Sequence, residues 1–400
     1  MQTPEFRLKW GKEKRLASGH AWAFRNEIDF NGKDPGPGAL VRLLTSKGRP
    51  LGLGFLNTHA NLCFRLLAPH GEFPLEVGAD EILARRLDQA LALRGSRVPG
   101  SARRLVNAEG DWLPGLVVDD YNGVLVMQLH AAGMERRRGL IEAWLKGLPG
   151  TKALVERSDD ATRAREGLEP SHGLRHSAAW DPDLLGRVPF IEGPLQFTAD
   201  VLTGHKTGFF LDQRPARALA QSLAQGQDCL DLFCHSGGFS VAMAVGGAVS
   251  VLGIDQSGAA LALAAGHARL NRVEAQLVFE EADCFTRLRE LEKEGRRFGL
   301  IVLDPPALAK DGEALGGALR GYRELNLRAL RLLKAGGRLI TCSCSGVVDE
   351  ARFAEAVHAA ALDAPATLRE LGRLGAGGDH PRLLGLPEGR YLKGLLVAKA

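Results

Sequence analysis

Residues 231–239 read Asp231-Leu232-Phe233-Cys234-His235-Ser236-Gly237-Gly238-Phe239. The apolar run Cys229–Phe233 leads into the two glycines and predicts a short buried strand, and a helix is predicted to begin near Phe239. A strand, a glycine turn and a helix in this order are typical of the first unit of a doubly wound α/β sheet. Ligands of such sheets bind at the carboxyl ends of the strands, so this turn predicts one wall of a binding site.

The chain downstream of this turn repeats the alternation of strand and helix. The strands are nearly continuous apolar runs, which is expected when helices cover both faces of a parallel sheet. From about residue 190 onward we therefore predict a doubly wound parallel sheet. Its further strands are predicted at Val249–Ile254, Leu277–Glu280, Leu300–Leu303 and Arg338–Cys342, and its helices at Ala259–Asn271, Phe285–Glu294 and Tyr322–Leu333.

The N-terminal residues predict a small β-rich barrel or sandwich. Two apolar runs, Ala39–Leu44 and Leu51–Leu56, are separated by turn residues. The whole chain has a net charge of +4, but the first 65 residues carry 11 Lys or Arg against five Asp or Glu, a net +6. Residues 191–400 carry 24 of each. The basic excess thus lies in the N-terminal module and favours a polyanionic partner there.

The middle of the chain mixes helical and strand-like patterns and predicts a compact α+β unit. Residues 161–187 are polar and without periodicity, and they predict a long loop or linker. The elements predicted before them are helices at Asp80–Leu93 and Glu135–Leu148 and strands at Leu116–Val118, Val124–Leu129 and Ala153–Glu156. We predict three domains, at residues 1–72, 73–188 and 189–400.

Composition excludes several classes of protein. With 400 residues, 45% of them apolar and 24% charged, the chain is neither disordered nor fibrous. Six cysteines are too few for a disulfide scaffold, and the N-terminus has no secretory pattern, so a reducing cytoplasm is expected. The run Leu232–Ile254 has no charged residue, but it contains five glycines. It fits strand, turn and helix better than a membrane span, and no membrane association is expected.

Acidic residues follow consecutive predicted strands. Asp255 ends the second strand, Asp283 follows the third, and Asp304 ends the fourth in the run Asp304-Pro305-Pro306. A carboxylate at Asp255 can accept hydrogen bonds from both hydroxyls of a ribose. Each acid could instead be a helix cap or a solvated loop residue. Their common position at strand ends, together with Asp231, favours a ligand site.

The glycine turn differs from a dinucleotide-binding turn, which needs three spaced glycines. Gly237 and Gly238 close the turn, and Phe233 and His235 occupy its earlier positions. The turn resembles the first motif of class I S-adenosylmethionine (SAM) methyltransferases, which has an acidic strand residue and a closing glycine. That resemblance implies SAM as the cofactor, with Asp283 at the adenine amino group. The implied cofactor residues are Asp231, Phe233, His235, Gly237, Asp255, Asp283 and Asp304.

The fifth predicted strand ends in Thr341-Cys342-Ser343-Cys344 and is expected to lie beside Asp304. Carbon 5 of a pyrimidine is too poor a nucleophile to accept a methyl group directly, and a thiolate that adds to carbon 6 overcomes this. A cysteine at the mouth of the site fits such chemistry. The alternatives are two small buried strand residues or a zinc site. Zinc is disfavoured because no Cys/His pair at ligand spacing accompanies these cysteines, so no metal is expected.

Several further motifs carry a resemblance that covers nearly the whole chain. The sequence is similar to the RlmI-type 23S ribosomal RNA cytosine-5 methyltransferases. The similarity implies an N-terminal PUA-like RNA-binding barrel, a small central α+β domain and a Rossmann-like methyltransferase domain with an antiparallel seventh strand. The runs that carry it are Gly19–Ile28, Asp111–Asp119, Lys206–Arg214, Asp231–Phe239, Asp304–Pro306 with Lys310, Thr341–Gly346, Asp379–Pro381 and Tyr391–Lys393.

The resemblance also implies roles for individual residues. Cys344 falls on the nucleophile position, with Cys342 as the runner-up. Asp304 is implied to contact the amino group or ring nitrogen of the cytosine. Asp212 and Arg214, in the run Lys206–Arg214, are implied to lie in the cofactor site.

Basic and aromatic residues alternate near the N-terminus and predict contacts to RNA phosphates and bases. The alternative is a solvated basic face over core aromatics. Our leading hypothesis is a SAM-dependent cytosine-5 methyltransferase of large-subunit ribosomal RNA; a guanine-nitrogen methyltransferase and a non-catalytic RNA-binding assembly factor stay open, as do a monomer and a homodimer. The predicted RNA-binding residues are Lys9, Lys12, Lys14, Arg15, Trp22 and Arg25.

Overall fold

The computed structural model of the chain describes residues 3–74, 76–95, 100–158, 161–309 and 312–400. Lys310, part of one motif above, lies outside these residues. The chain forms two compact units. One comprises Met1–Phe190, Thr198–Leu211 and Gly378–Gly389, and the other comprises Ile191–Phe197, Asp212–Gly377 and Arg390–Ala400. The division into three domains at residues 72 and 188 stays a prediction.

The N-terminal part of the first unit is a six-stranded sheet, which agrees with the β-rich module predicted from the sequence. Its strands are β1 (Glu5–Leu8), β2 (Trp22–Phe24), β3 (Ile28–Asp29), β4 (Ala39–Leu44), β5 (Pro50–Leu56) and β6 (Leu62–Pro69), with a short helix α1 (Lys14–Ala17) and a 3-10 turn at Arg25–Glu27. The order is β2-β6-β5-β4-β1-β3. Alternate side chains of β1, Phe6 and Leu8, are buried in its core, which is the period-two pattern of a strand with one covered face.

A five-stranded sheet follows in the same unit, in the order β11-β10-β9-β8-β7. Its elements are α2 (Ala79–Arg94), β7 (Ala102–Asn107), a 3-10 turn (Ala108–Asp111), β8 (Leu116–Tyr121), β9 (Val124–Leu129), α3 (Ala132–Glu135), α4 (Arg138–Gly147), β10 (Ala153–Ser158), α5 (Ala161–Arg165) and β11 (Ser171–Ser177). The helix predicted over Glu135–Leu148 is α4, which begins later, at Arg138; Glu135 ends the short helix α3 that precedes it.

The prediction of a loop at residues 161–187 was wrong. This segment contains α5, a 3-10 turn at Pro182–Arg187 and β11, which pairs antiparallel with β10. Two further strands, β12 (Val188–Glu192) and β13 (Leu195–Ala199), form a two-stranded sheet.

The second unit is built on a seven-stranded sheet. Its elements are α6 (Arg214–Leu223), β14 (Asp228–Leu232), α7 (Gly238–Val245), β15 (Ser250–Asp255), α8 (Gly258–Leu270), β16 (Leu277–Glu281), α9 (Cys284–Lys293), β17 (Phe298–Leu303), α10 (Leu315–Leu332), β18 (Leu333–Ser343), α11 (Glu350–Asp363), β19 (Leu368–Gly375) and β20 (Lys393–Lys399). Shorter 3-10 turns lie at Leu211–Gln213, Glu274–Gln276 and Pro387–Gly389.

The strand order of this sheet is β16-β15-β14-β17-β18-β20-β19. The pairs from β16 to β18 are parallel, and β20 is antiparallel to both β18 and β19. From β14 the chain first builds the sheet in one direction, to β15 and β16, and then in the other, from β17 onward. A ligand crevice opens at such a switch point. The doubly wound α/β fold and the antiparallel seventh strand are therefore confirmed.

The core of this sheet explains the apolar runs of the sequence. Every residue of β17 is buried. Leu325 and Ala329 of α10 and Phe353 of α11 belong to the same hydrophobic core as this strand. In the described part of the chain, no helix is both long and apolar enough to cross a bilayer. Nor do the described residues include three or more His, Cys, Asp or Glu side chains grouped so that they could hold a metal ion.

Candidate active site

The carboxyl ends of β14, β15, β17 and β18 lie side by side because these strands are hydrogen-bonded neighbours and parallel. Asp231 lies on β14, Asp255 ends β15, and Asp304 follows β17. Cys344 follows β18 on the same edge. The sheet therefore brings together the acids and the cysteine that the sequence predicted as a site.

The glycine turn after β14 has a strained backbone. Phe233 (φ 61°), His235 (φ 48°) and Gly237 (φ 73°) all adopt left-handed conformations, which side-chain-bearing residues rarely do. A Cβ on Gly237 would lie 2.8 Å from Cβ of Ala264, so only glycine fits there. Non-glycine residues in this region cost about 1–3 kcal/mol each and are found mainly at functional sites. The strain supports the prediction that this turn contacts a ligand.

The turn is held against Asp255. The backbone N–H of His235 donates to Oδ2 of Asp255 (2.9 Å), and the N–H of Ser257 donates to Oδ1 (3.0 Å). The carboxylate is therefore fixed in orientation and half-exposed. Each of its oxygens has a second lone pair, so it can still accept two hydroxyl donors. This geometry fits the predicted contact to both hydroxyls of a ribose.

Asp231 is fully buried and only partly satisfied. Oδ2 accepts a hydrogen bond from Oγ of Ser240 (2.6 Å), while Oδ1 has no hydrogen-bond partner among the described residues. Burial raises the pKa of Asp231 to about 7, and the negative charges of Asp304 and Asp255 add to the effect. A buried carboxyl with an unfilled acceptor and two acidic neighbours is suited to a ligand that carries positive charge.

Asp283 caps a helix, which is the alternative that the sequence left open. Its Oδ1 accepts from the N–H (2.9 Å) and Oγ1 (2.8 Å) of Thr286 at the start of α9. The side chain is exposed, and Oδ2 lies outside this cap. The cap fixes the carboxylate through Oδ1 and leaves Oδ2 out of these two hydrogen bonds. A contact to the adenine amino group stays a prediction.

Asp212 and Arg214 are buried beside the start of α6. Oδ2 of Asp212 accepts from the hydroxyl of Tyr391 (2.7 Å), and Nε of Arg214 lies 3.4 Å from Oε2 of Glu192. The negative charge of Asp212 contributes to the raised pKa of Cys342, which places it near the end of β18. Their predicted contact with the cofactor is not tested by these distances and stays a prediction.

The structure separates the two candidate nucleophiles. All six cysteines lie in the described residues, and Cys344 alone among them is half-buried. Cys342 is 1% exposed, and burial raises its pKa well above the ordinary value. Sγ of Cys344 lies 3.9 Å from the carbonyl oxygen of Pro305, against the loop that begins at Asp304. Since a nucleophile must reach its substrate, this favours Cys344 over the runner-up.

The predicted RNA-binding residues fall into two groups. Lys9, Lys12, Lys14 and Arg25 are exposed, although Nη1 of Arg25 also donates to the carbonyl oxygen of Thr58. The other two are engaged within the chain: Nη2 of Arg15 donates to Glu27 (2.6 Å), and Nε1 of Trp22 donates to Glu109 (3.0 Å).

A shallow groove of about 490 Å³ lies on this N-terminal sheet. Trp10 is 76% exposed, and its ring centre lies 5.2 Å from Nζ of Lys47. An exposed indole beside a cation is suited to base stacking. The groove is lined by Lys9, Arg25, Asn26, Ile28, Phe30 and Asn61.

Sequence reasoning missed several residues that shape the site. Ser240 donates to Asp231, Tyr391 donates to Asp212, and Tyr322 and Lys393 contact the turn that carries Cys344. Tyr391 and Lys393 lie in one of the family motifs, which was the available signal. Tyr322 lay at the start of a predicted helix, and no pattern marked it.

Comparison with known proteins identifies the class. Residues 176–382 match the family model described as S-adenosylmethionine-dependent methyltransferase, and residues 6–69 match that of a PUA-like domain. A Streptococcus mutans protein assigned as a SAM-dependent methyltransferase has the same fold (TM-score 0.82, 18% identity, 99% of this chain and 100% of that chain). A second such structure, complexed with S-adenosylhomocysteine (SAH), gives a TM-score of 0.83 at 19% identity over 100% of both chains. The chain is a class I SAM-dependent methyltransferase joined to an N-terminal PUA-like domain.

Relatives that match nearly the whole chain identify the family within this class of methyltransferases. Proteins named ribosomal RNA large subunit methyltransferase I from Shewanella denitrificans and from Tolumonas auensis are each 39% identical to this chain, over 98% of both partners. The chain therefore belongs to the ribosomal RNA large subunit methyltransferase I family. The family, the fold class and the cofactor predicted from the motifs are confirmed.

Cofactor affinity is expected to depend on pH through Asp231. Its pKa of about 7 means that the carboxyl is largely protonated at pH 6 and ionised at pH 8. The sulfonium of SAM is cationic and favours the ionised form, so the dissociation constant should fall about tenfold between pH 6 and pH 8. Calorimetric titration at both pH values measures this. SAH, whose sulfur is neutral, is the matched control and should show a smaller change; equal pH dependence of the two ligands would contradict the assignment.

Proposed function

We propose that this chain methylates carbon 5 of a cytosine in the 23S ribosomal RNA of the large subunit, with Cys344 as a covalent nucleophile. The observation that carries the proposal is the position of Cys344. It is half-exposed at the carboxyl end of β18 and lies against the loop that begins at Asp304. The relatives' name supports large-subunit ribosomal RNA as the substrate.

In this mechanism the thiolate of Cys344 adds to carbon 6 of the cytosine and forms a carbon–sulfur bond. The electron pair of the former carbon 5–carbon 6 double bond then makes carbon 5 nucleophilic. The cofactor supplies an electrophilic methyl group. Once carbon 5 carries it, a base removes the carbon-5 proton, the double bond reforms and the thiolate of Cys344 leaves. We assign to Asp304, which begins the loop that Cys344 contacts, the role of accepting a hydrogen bond from the cytosine amino group.

The residues that would hold the cofactor follow from the geometry of the strand edge. Asp255 has two fixed oxygens for the ribose hydroxyls, and Asp283 has Oδ2 for the adenine amino group. Asp231 and Asp304 supply negative charge for the sulfonium. The turn at Phe233, His235 and Gly237 supplies the backbone wall. We place Asp212 and Arg214 at the outer side of this site, next to the end of β18.

The RNA is proposed to bind along the N-terminal sheet. Exposed cations there can neutralise phosphates, and Trp10 and Phe30 offer rings for stacking. Lys9, Lys12, Lys14 and Arg25 would make the direct contacts. Because their polar groups are already bonded, Arg15 and Trp22 would contribute through the shape of the surface. We propose a cytoplasmic location, where thiols stay reduced.

The experiment that tests this function is nucleoside mass spectrometry of ribosomal RNA treated with the protein and SAM. The expected product is 5-methylcytidine at one position of the large-subunit RNA. A methylated guanosine instead would replace the covalent mechanism with direct methylation of a ring nitrogen. Retained RNA binding without any product, at saturating SAM, would indicate a binding factor.

A further inference from the structure

The turn after Cys344 is held by a buried lysine. Lys393 begins β20, lies opposite Ser343 in the β18–β20 pair and is 2% exposed. Its Nζ donates to the carbonyl oxygen of Ser345 (2.6 Å) and to that of Val348. Both carbonyls belong to the turn that immediately follows Cys344. The ammonium therefore binds the turn that begins next to the proposed nucleophile.

The same turn is fixed from α10 by Tyr322. Oγ of Ser343 donates to the hydroxyl of Tyr322 (2.9 Å), and that hydroxyl shares a hydrogen bond with Oγ of Ser345 (3.0 Å). The residues on either side of Cys344 are thus buried and bonded, while Cys344 itself is half-exposed. This arrangement fixes the backbone of the nucleophile and leaves its sulfur accessible.

The charge of Lys393 is unusual for its surroundings. Its hydrogen-bond partners are neutral carbonyls, and a buried cation is costly unless a negative group lies nearby. Burial lowers the pKa of Lys393, and the negative charge of Cys344 is the leading influence that opposes this effect, followed by Asp349 and Glu350. The interaction is mutual, so a lysine that gains from the thiolate also favours the thiolate.

Besides Cys344, the charged groups that act on Lys393 are Asp349, Glu350 and Arg390. Asp349 caps α11 and Glu350 begins it, while Asp304 lies on the loop after β17, which Cys344 contacts at Pro305. Arg390 is exposed and is paired with Glu350 (2.5 Å), so its charge is largely compensated. Cys342 and Tyr322 are neutral because burial raises the pKa of each. An acid-lined edge suits a sulfonium cofactor but disfavours a thiolate, unless a cation offsets the acids.

We propose that Lys393 is a positioning residue that fixes the turn after Cys344 and stabilises the thiolate form of that cysteine. The inference rests on the proposed role of Cys344 as the nucleophile. It gives the family motif Tyr391-Leu392-Lys393 a function, and it explains how one edge of the sheet serves both a cationic cofactor and an anionic nucleophile.

The test is the pH profile of Cys344 alkylation by iodoacetamide in the absence of SAM and RNA, read by peptide mass spectrometry. Lys393→Gln removes the charge but keeps a hydrogen-bond donor, and Lys393→Arg keeps the charge. We expect Lys393→Gln to alkylate about tenfold more slowly at pH 7, with its midpoint raised by about one pH unit, and Lys393→Arg to resemble the wild type. Tyr322→Phe, which changes the turn but no charge, should leave the midpoint in place.

Superimposable profiles for the wild type and Lys393→Gln would overturn the proposal. If Lys393→Gln does not fold, the wild-type profile decides, since a midpoint at or above the ordinary thiol value of about 8.5 would also overturn it. Failure of the proposed function has a different signature. A Cys344→Ala variant that still methylates RNA would refute the nucleophile, whatever the alkylation profiles show.

Discussion

Replacing Cys344 by alanine will lower cytosine methylation by about 10⁴-fold or more, because the variant has no group to add to carbon 6. SAM binding should be unchanged, since the acids that would hold the cofactor stay in place. The measurement is the transfer of a radiolabelled methyl group to large-subunit ribosomal RNA under single-turnover conditions, with calorimetry for the cofactor.

Cys342→Ala is the matched control for this variant. Cys342 is two residues earlier, within β18, and it is buried against Gly394: a Cβ added to that glycine would lie 3.0 Å from the sulfur of Cys342. Loss of its side chain should cost some stability and leave the rate within a few-fold of the wild type. The assignment is wrong if the two variants exchange these results, or if Cys344→Ala keeps full activity.

Replacing Asp255 by alanine is expected to weaken SAM binding about 10³-fold. Two charge-assisted hydrogen bonds to the ribose would be lost, each with a contribution of about 1.5–3 kcal/mol. The variant would also release the N–H groups of His235 and Ser257, which now fix the glycine turn. Calorimetric titration with SAM and with SAH measures the loss, which should be similar for both ligands because the ribose is common to them.

Asp228→Ala is the control on the same sheet. Asp228 begins β14, at the opposite edge from the site, and is paired with Lys334 (2.8 Å) and with Oγ of Ser250 (3.0 Å). Its removal should leave the cofactor affinity as it is. Equal losses for Asp255→Ala and Asp228→Ala would show that the effect is general destabilisation of the sheet.

The parts of the site that sequence could predict are those that sheet topology dictates. Asp231, Asp255 and Asp304 lie at the carboxyl ends of neighbouring strands, and parallel strands of one sheet must end at one edge. The same rule predicted that the cysteine at the end of β18 lies at this edge. Its ranking above Cys342 could not be settled by pattern alone, because it depends on where the strand ends and the turn begins.

The contacts that escaped prediction join distant parts of the chain. Lys393 reaches Ser345 because β20 inserts beside β18, and Tyr322 reaches Ser343 because α10 packs over β18. No local pattern encodes such pairs. Arg15 illustrates the same limit for charge: it counts toward the basic excess, yet Glu27 neutralises it in the fold.

The missed strand β11 has a physical explanation. It is an edge strand that pairs on one side, and none of its residues is buried. Without a covered face, the alternation of apolar and polar residues that identifies a strand is absent. The segment therefore looked like a linker, although its backbone completes the central sheet.

The central claim is that Cys344 forms a covalent bond to carbon 6 of a cytosine. The resulting covalent intermediate can be trapped. In RNA that carries 5-fluorocytidine, the fluorine cannot leave as a proton would, so the enzyme should stay attached after methylation. We expect a SAM-dependent complex that survives a denaturing gel, maps by mass spectrometry to the peptide containing Cys344 and is lost in Cys344→Ala. A complex that persists in that variant, or attachment at another residue, would contradict it.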